Sequence, residues 1–159
     1  MKPHKKAYPA SGSQNTMIKV MSPLDANHYG YVHGGAIMRY VDEAAFIAGT
    51  RHARRNIVTA AVDQHTFEAP VKLGDLLILK SSVNYVGKTS MEIGVRVEAE
   101  DPMTGETKFV GRAYITMVAL DDMGNPTALP PLILETKEDK DRNKRAQQRR
   151  DMRLKLRKK

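Results

Sequence analysis

Asn27, His33, Gly34, Gly35 and Asp42 lie within one short stretch, where a polar, glycine-punctuated loop runs straight into an amphipathic segment. A glycine pair at the start of a helix presents backbone N–H groups that have no intrahelical acceptor. The helix dipole adds to their attraction for negative charge. The Gly35 N–H is thus a candidate donor to a developing oxyanion. Asp42, in the third turn, is a candidate general base toward water, and the same carboxylate is able to attack directly and give a mixed anhydride. Asn27 offers an amide to orient water or a carbonyl, although asparagine is equally a common turn residue. His33 either lines such a site or caps the helix. These are the parts needed to polarise a carbonyl and activate water.

Further along, Lys88-Thr89-Ser90 occupies a turn between two apolar runs, and Arg54 and Arg55 follow the helix; both are candidates to hold an anionic group. Other chemistries are poorly supported. There is no cysteine, which removes disulfides, thiolate metal sites and cysteine nucleophiles. The histidines show no metal-ligand spacing, so no metal is expected. There is no G-x-S-x-G elbow for a serine nucleophile.

The elements that must position these groups follow from periodicity. Thr16–Met21 reads as a short strand ended by Ser22-Pro23. From Gly35 to Ala53 the apolar residues Ile37, Val41, Ala44, Ala45 and Ala48 fall at helical spacing, a helix about 28 Å long. Thereafter the period becomes two. Strands are expected over Val58–Phe67, Leu76–Tyr85, Met91–Glu98 and about Lys108–Leu120, with turns at Lys72–Asp75, Gly87-Lys88 and Asp101–Gly105. One long helix and four strands joined by short connections read as an antiparallel meander under a single helix, an α+β fold. Such a sheet leaves open edges, which pairing with a second copy covers.

The chain has 159 residues and a formal net charge of +8. That charge sits on the ends: residues 135–159 carry +7 and residues 1–16 carry +3, leaving 17–134 slightly acidic. Three regions follow: a flexible basic N-terminus over 1–15, a folded domain over 16–134, and a charged, solvated, partly helical tail over 135–159. The near-neutral domain argues against nucleic acid as its partner. No apolar run approaches the ~18 residues of a membrane span, and a cytoplasmic location is the expectation.

The order and spacing of several motifs carry a resemblance. These are Pro23-Leu-Asp-Ala-Asn27, Gly30-Tyr-Val-His33-Gly34-Gly35, Asp42-Glu43-Ala44, Thr50-Arg51-His52-Ala53, Phe67-Glu-Ala-Pro70, Val86-Gly87-Lys88-Thr89-Ser90 and Leu129-Pro-Pro131. Over roughly residues 16–145 the chain resembles the hotdog-fold acyl-CoA thioesterases of the cytosolic acyl-CoA hydrolase branch. The resemblance implies a long central helix wrapped by a curved antiparallel β-sheet, hydrolysis of acyl-CoA to free acid and CoA, and homodimers assembled as a trimer. It further implies Asn27 of one subunit facing Asp42 of its neighbour. Lys88, Thr89 and Ser90 then lie toward the nucleotide end of CoA, with Arg55 a further candidate for the same phosphates. Coenzyme A enters as part of the substrate, and no separate cofactor is expected. Two other readings remain open at this stage: the same fold in acyl transfer or on carrier-protein thioesters, and a non-enzymatic dimeric scaffold whose basic tail binds polyanions.

Overall fold

A computed structural model describes residues 6–156. Strand β1 (Tyr8–Pro9) and a 3-10 turn (Ala10–Ser13) precede β2 (Asn15–Val20); a second 3-10 turn (Pro23–Asp25) then leads to helix α1 (Gly34–Ala53). Strands β3 (Ile57–Phe67), β4 (Leu76–Val86), β5 (Ser90–Glu100) and β6 (Thr107–Ala119) follow, then β7 (Leu132–Ile133) and helix α2 (Lys137–Leu156). Every strand and helix expected over 16–120 is present within a few residues of its anticipated bounds.

The order of the strands differs from a meander. The five-stranded antiparallel sheet runs β2-β4-β5-β6-β3, so β3 and β4, neighbours in sequence, sit three places apart. The segment 68–75 is therefore a crossing, not a hairpin. Glu68 N–H donates to Val110 O, Val71 O accepts from Val32 N–H, and Gly74 N–H donates to Met21 O, which carries the chain from the β3 edge past β6 and β5 to β4. The apolar pattern of β3 is compatible with several pairings, and its register with β6 (Ile57 opposite Ala119, Phe67 opposite Gly111) joins residues far apart in sequence.

Alternation divides the sheet into two faces. Leu77, Leu79, Ser81, Val83, Ile93, Val95, Val97, Ile115 and Met117 are buried. The Ser81 hydroxyl donates to the Ala44 carbonyl of α1, which fixes this as the helix-bearing face. Burying each Leu or Ile here stabilises the fold by about 1.5–3 kcal/mol. The small residues of α1 allow the close approach: a Cβ on Gly49 lies 2.7 Å from Ile57 Cδ1. Arg54, in the left-handed conformation with φ 52°, ends the helix.

The opposite face carries Lys80, Ser82, Asn84, Glu92, Gly94, Arg96, Arg112, Tyr114 and Thr116. Residues 137–156, expected to form a solvated tail, instead lie against this face. Arg149 stacks on the Tyr114 ring at 3.5 Å and bridges to Glu92 at 2.7 Å; Arg153 pairs with Asp63; Asn143 donates to the Asn84 carbonyl at 2.9 Å. Glu92 is buried beneath the helix, and Ala146 is buried on the inner side of the helix itself. Long cationic side chains with planar heads supply the contacts that an apolar stripe usually makes. The N-terminal region departs from the flexible reading in the same way. Ala10 and Ser13 are buried, Ser13 Oγ accepts from Val83 N–H at 3.0 Å, and β1 pairs in parallel with β7. Residues 1–5 of that basic end, and 157–159 at the other, lie outside the described residues.

Candidate active site

The loop from Ser22 to His33 is fixed to α1 by one buried carboxylate. Asp25 Oδ2 accepts from the Ser22 N–H at 3.0 Å and the Ser22 hydroxyl at 2.9 Å; Oδ1 accepts from the Tyr40 hydroxyl at 2.8 Å and from Arg39. The Asp25 carbonyl takes the His33 N–H at 2.7 Å. Burial pushes the Asp25 carboxyl up, but the Tyr40 and Ser22 hydrogen bonds and the Arg39 charge together hold it below the ordinary aspartate value. The same burial and the Asp25 charge push the Tyr40 phenol up.

Within this clamped loop, Asn27 Oδ1 accepts from the N–H groups of Tyr29 (2.9 Å) and Tyr31 (3.1 Å), closing a turn. Its carboxamide oxygen is thereby committed to the loop, and Nδ2 is the group left to offer outward. Tyr31 also bridges to Lys72 of the crossing segment.

His33 is the N-cap of α1: its Nδ1 accepts from Gly35 N–H at 2.8 Å. Of the two roles left open for His33, the structure shows the cap. It also corrects the picture of Gly35 as a bare donor, because its amide is held by the exposed imidazole. An oxyanion role for Gly35 requires that ring to swing away.

Asp42 sits eight residues beyond Gly34, about 12 Å along the helix axis. It is half-buried on the outward side of α1, and its Oδ1 accepts from Thr59 Oγ1 of β3 at 2.6 Å. Sequence reasoning overlooked Thr59. The only available signal was a polar β-branched residue in an otherwise apolar start to the strand. Within one chain the structure does not bring Asn27 and Asp42 together, since one is at the N-terminal mouth of α1 and the other midway along it. Glu43 is exposed and forms no salt bridge among the described residues.

Lys88, Thr89 and Ser90 form the β4–β5 turn at the far end of the sheet. There Leu129 N–H donates to Lys88 O and Ala119 N–H to Thr89 O. Arg55 is at that same end, its Nη1 3.4 Å from Thr127 Oγ1. The candidate anion-holding residues thus gather beyond the C-terminus of α1, with Asp42 between them and the Asn27 loop.

Around Asp42 the surface is apolar and uncovered. Met38, Phe46, Val62 and Phe67 are each about half exposed (44–49%) along the outer side of α1 and β3, and β3 is an open sheet edge. Beside the helix mouth, Val32, Gly34, Ile37, Phe67, Pro70 and Val71 line a groove of about 320 Å³.

This geometry is matched among known proteins. Residues 29–106 fit the family model of the thioesterase superfamily. An uncharacterized acyl-CoA thioester hydrolase of Bacillus subtilis is 41% identical over 117 residues, covering 74% of this chain and 68% of that protein. The chain belongs to the thioesterase superfamily. Among solved thioesterase structures, an apo-hexameric acyl-CoA thioesterase superposes with a TM-score of 0.90 at 34% identity, over 95% of this chain and 97% of that one. The acyl-CoA hydrolase of Staphylococcus aureus, in complex with butyryl-CoA, CoA and CoA disulfide, has a TM-score of 0.88 at 33% identity, over 96% and 93%. That enzyme has also been solved with alanine replacing an asparagine, a threonine or an aspartate. The fold is the hotdog arrangement of one central helix against a curved antiparallel sheet. Among the described residues, no helix is long and apolar enough to cross a membrane.

Proposed function

We propose that two copies of this chain pair along β3 and the outer face of α1, and that the paired sites hydrolyse acyl-CoA thioesters to free acid and CoA. The observation that carries the reading is the Thr59–Asp42 hydrogen bond at 2.6 Å, which fixes a half-buried carboxylate on the uncovered apolar face. Thr59 occupies Oδ1 and orients the carboxylate, leaving Oδ2 for a water molecule. Asp42 takes a proton from that water as its oxygen adds to the thioester carbon. The C–S bond of the tetrahedral intermediate then breaks, and the departing thiolate takes back the proton held by Asp42, giving CoA and restoring the carboxylate.

Asn27 Nδ2 of the neighbouring copy serves as the donor that positions the water or the carbonyl oxygen. The mouth of that neighbouring copy's α1 faces the developing oxyanion, with the dipole of a 20-residue helix behind it. The apolar groove beside Gly34 receives the start of the acyl chain. Lys88, Thr89, Ser90 and Arg55 are assigned to the phosphates of CoA. Their grouping at one end of the molecule supports a shared role, as does the near-neutral charge elsewhere on the domain. The scheme asks for no cofactor, because water and the substrate's own thiol complete it.

Assembly into hexamers, as in the apo-hexameric relative, extends the same proposal. So does a cytoplasmic setting, with which the absence of cysteine is compatible. The test is thiol release from a panel of acyl-CoA and acyl-carrier-protein thioesters. CoA substrates should be cleaved by the wild type and not by Asp42→Ala. Turnover confined to carrier-protein thioesters would favour the alternative substrate class, and absence of any turnover would favour a scaffold.

A further inference from the structure

The amides in the first turn of α1 are held in two different ways. Ala36 and Ile37 N–H both donate to the His33 carbonyl, at 2.9 and 3.2 Å. Gly35 N–H donates instead to a side chain, His33 Nδ1, at 2.8 Å. A backbone acceptor cannot be withdrawn without unwinding the turn. An exposed imidazole leaves simply by rotating about its own side-chain bonds. The His33 backbone is fixed meanwhile, because its N–H is tied to the Asp25 carbonyl at 2.7 Å on the clamped loop that carries Asn27. Rotation of the ring therefore bares one donor and leaves the loop and the helix in place.

The residue at position 35 fits the same device. Gly35 is not among the glycines with positive φ, so its backbone conformation does not call for glycine. In a helix, glycine is also less favourable than alanine. What excludes a larger residue is the ring: a Cβ at 35 would stand 2.9 Å from His33 Nδ1 and 3.0 Å from Cε1. Gly34 differs, since a Cβ there meets the Phe67 ring at 3.6 Å, an ordinary contact. Glycine at 35 thus makes room for an acceptor lying over the amide, and the same room admits a carbonyl oxygen in place of the imidazole.

We propose that His33 is a positioning residue acting as an exchangeable cap. In the empty protein its Nδ1 holds the Gly35 N–H, and the thioester oxygen displaces it when substrate binds. This rests on the hydrolase reading above and deepens it. His33 enters none of the bond changes. It satisfies the helix end while the site is empty and yields the donor when a carbonyl arrives.

Cap strength and substrate binding should then move in opposite directions. His33→Phe keeps a flat ring that cannot accept a hydrogen bond. It should lower the melting temperature yet raise kcat/KM for butyryl-CoA by about three- to tenfold, the ratio that loss of a side-chain cap implies. His33→Asn installs a strong neutral cap, and should keep or raise the melting temperature while lowering kcat/KM. Both changes should fall on KM, with kcat nearly unaltered. A cap serving the fold alone would make His33→Phe lose stability and activity together, and that result would overturn the proposal.

Crystal structures with and without a ketone analogue of butyryl-CoA, in which a methylene replaces the thioester sulfur, give a second readout. In the complex the analogue's oxygen should accept from Gly35 N–H, with the His33 ring turned away. An imidazole still bonded to Gly35 beside a bound analogue would overturn the exchange. This arm is independent of turnover: a wild type that releases no thiol sinks the hydrolase reading, whereas the position of the ring decides the cap.

Discussion

Thr59 Oγ1 donates to Asp42 Oδ1 across 2.6 Å, tying the first strand after the central helix to the carboxylate midway along that helix. If this bond sets the orientation of a general base, removing the hydroxyl and removing the acid should differ in kind. Asp42→Ala should lower kcat by at least about 10², the range expected for loss of a general base. Thr59→Ala should lower kcat by less and leave KM for acyl-CoA near its original value, whereas Thr59→Ser should recover most of the rate. Steady-state thiol-release kinetics on the three variants checks the order, and a Thr59→Ala variant with full kcat would remove the positioning role.

Val62 is 47% exposed on the open β3 edge. Replacing it with glutamate places a charge where a second copy is expected to pair, at a cost of several kcal/mol to association if the partner leaves it desolvated. Val62→Glu should therefore shift the protein to monomer in analytical ultracentrifugation and lose hydrolysis with it. Full activity in a demonstrated monomer would show that the site is complete within one chain.

The Asp25–Tyr40 bond predicts a pH dependence with a definite sign. Asp25 is held below its ordinary value in the folded state, so the native state binds the proton less readily than the unfolded chain. Its contribution is fully present above about pH 4 and is lost as pH falls through the lowered folded value. In urea unfolding between about pH 6 and pH 3, the wild type should lose stability that Asp25→Asn never had. Tyr40→Phe should cost about 1.5–3 kcal/mol at neutral pH, the usual contribution of a hydrogen bond to a charged group.

Arg149 and Glu92 form the best-buried ion pair that holds α2, with side-chain exposures of 16% and 4%. Arg149→Ala leaves the glutamate buried and unpaired, and should destabilise the protein by about 3–5 kcal/mol in equilibrium unfolding. Adding Glu92→Gln removes the orphaned charge and should recover a substantial part of that loss. An Arg149→Ala variant as stable as the wild type would mean that α2 is held elsewhere.

Much of this architecture was legible in the residues. The helix over Gly34–Ala53 follows from Ile37, Val41, Ala44, Ala45 and Ala48, and the alternation through Met91–Val97 announces a strand with one buried face. Both signals are local. The position of β3 beside β6 was not legible, because a strand's own pattern records which face is buried and not which distant strand it joins. Helix α2 was misread for a related reason: its anchors are arginines, ordinarily a sign of solvation, and their partners Asp63, Glu92 and Tyr114 are scattered over three strands. Asp42 and Asn27 were found through motif order. Thr59 carries no motif and becomes visible only when the strand is laid against the helix. His33 and Gly35 were each singled out, but composition could not reveal that one would hold the other's amide.

Because the chain must cross three strand places of the sheet between Phe67 and Leu76, residues 68–75 brace the mouth of the helix as they pass. Val71 holds Val32, and Lys72 bridges to Tyr31. Surface connections usually tolerate extra length at little thermodynamic cost. This one behaves as a strut whose span is set at both ends, so a single inserted residue there would reach the asparagine loop on the far side of the brace before it disturbed the hydrophobic interior.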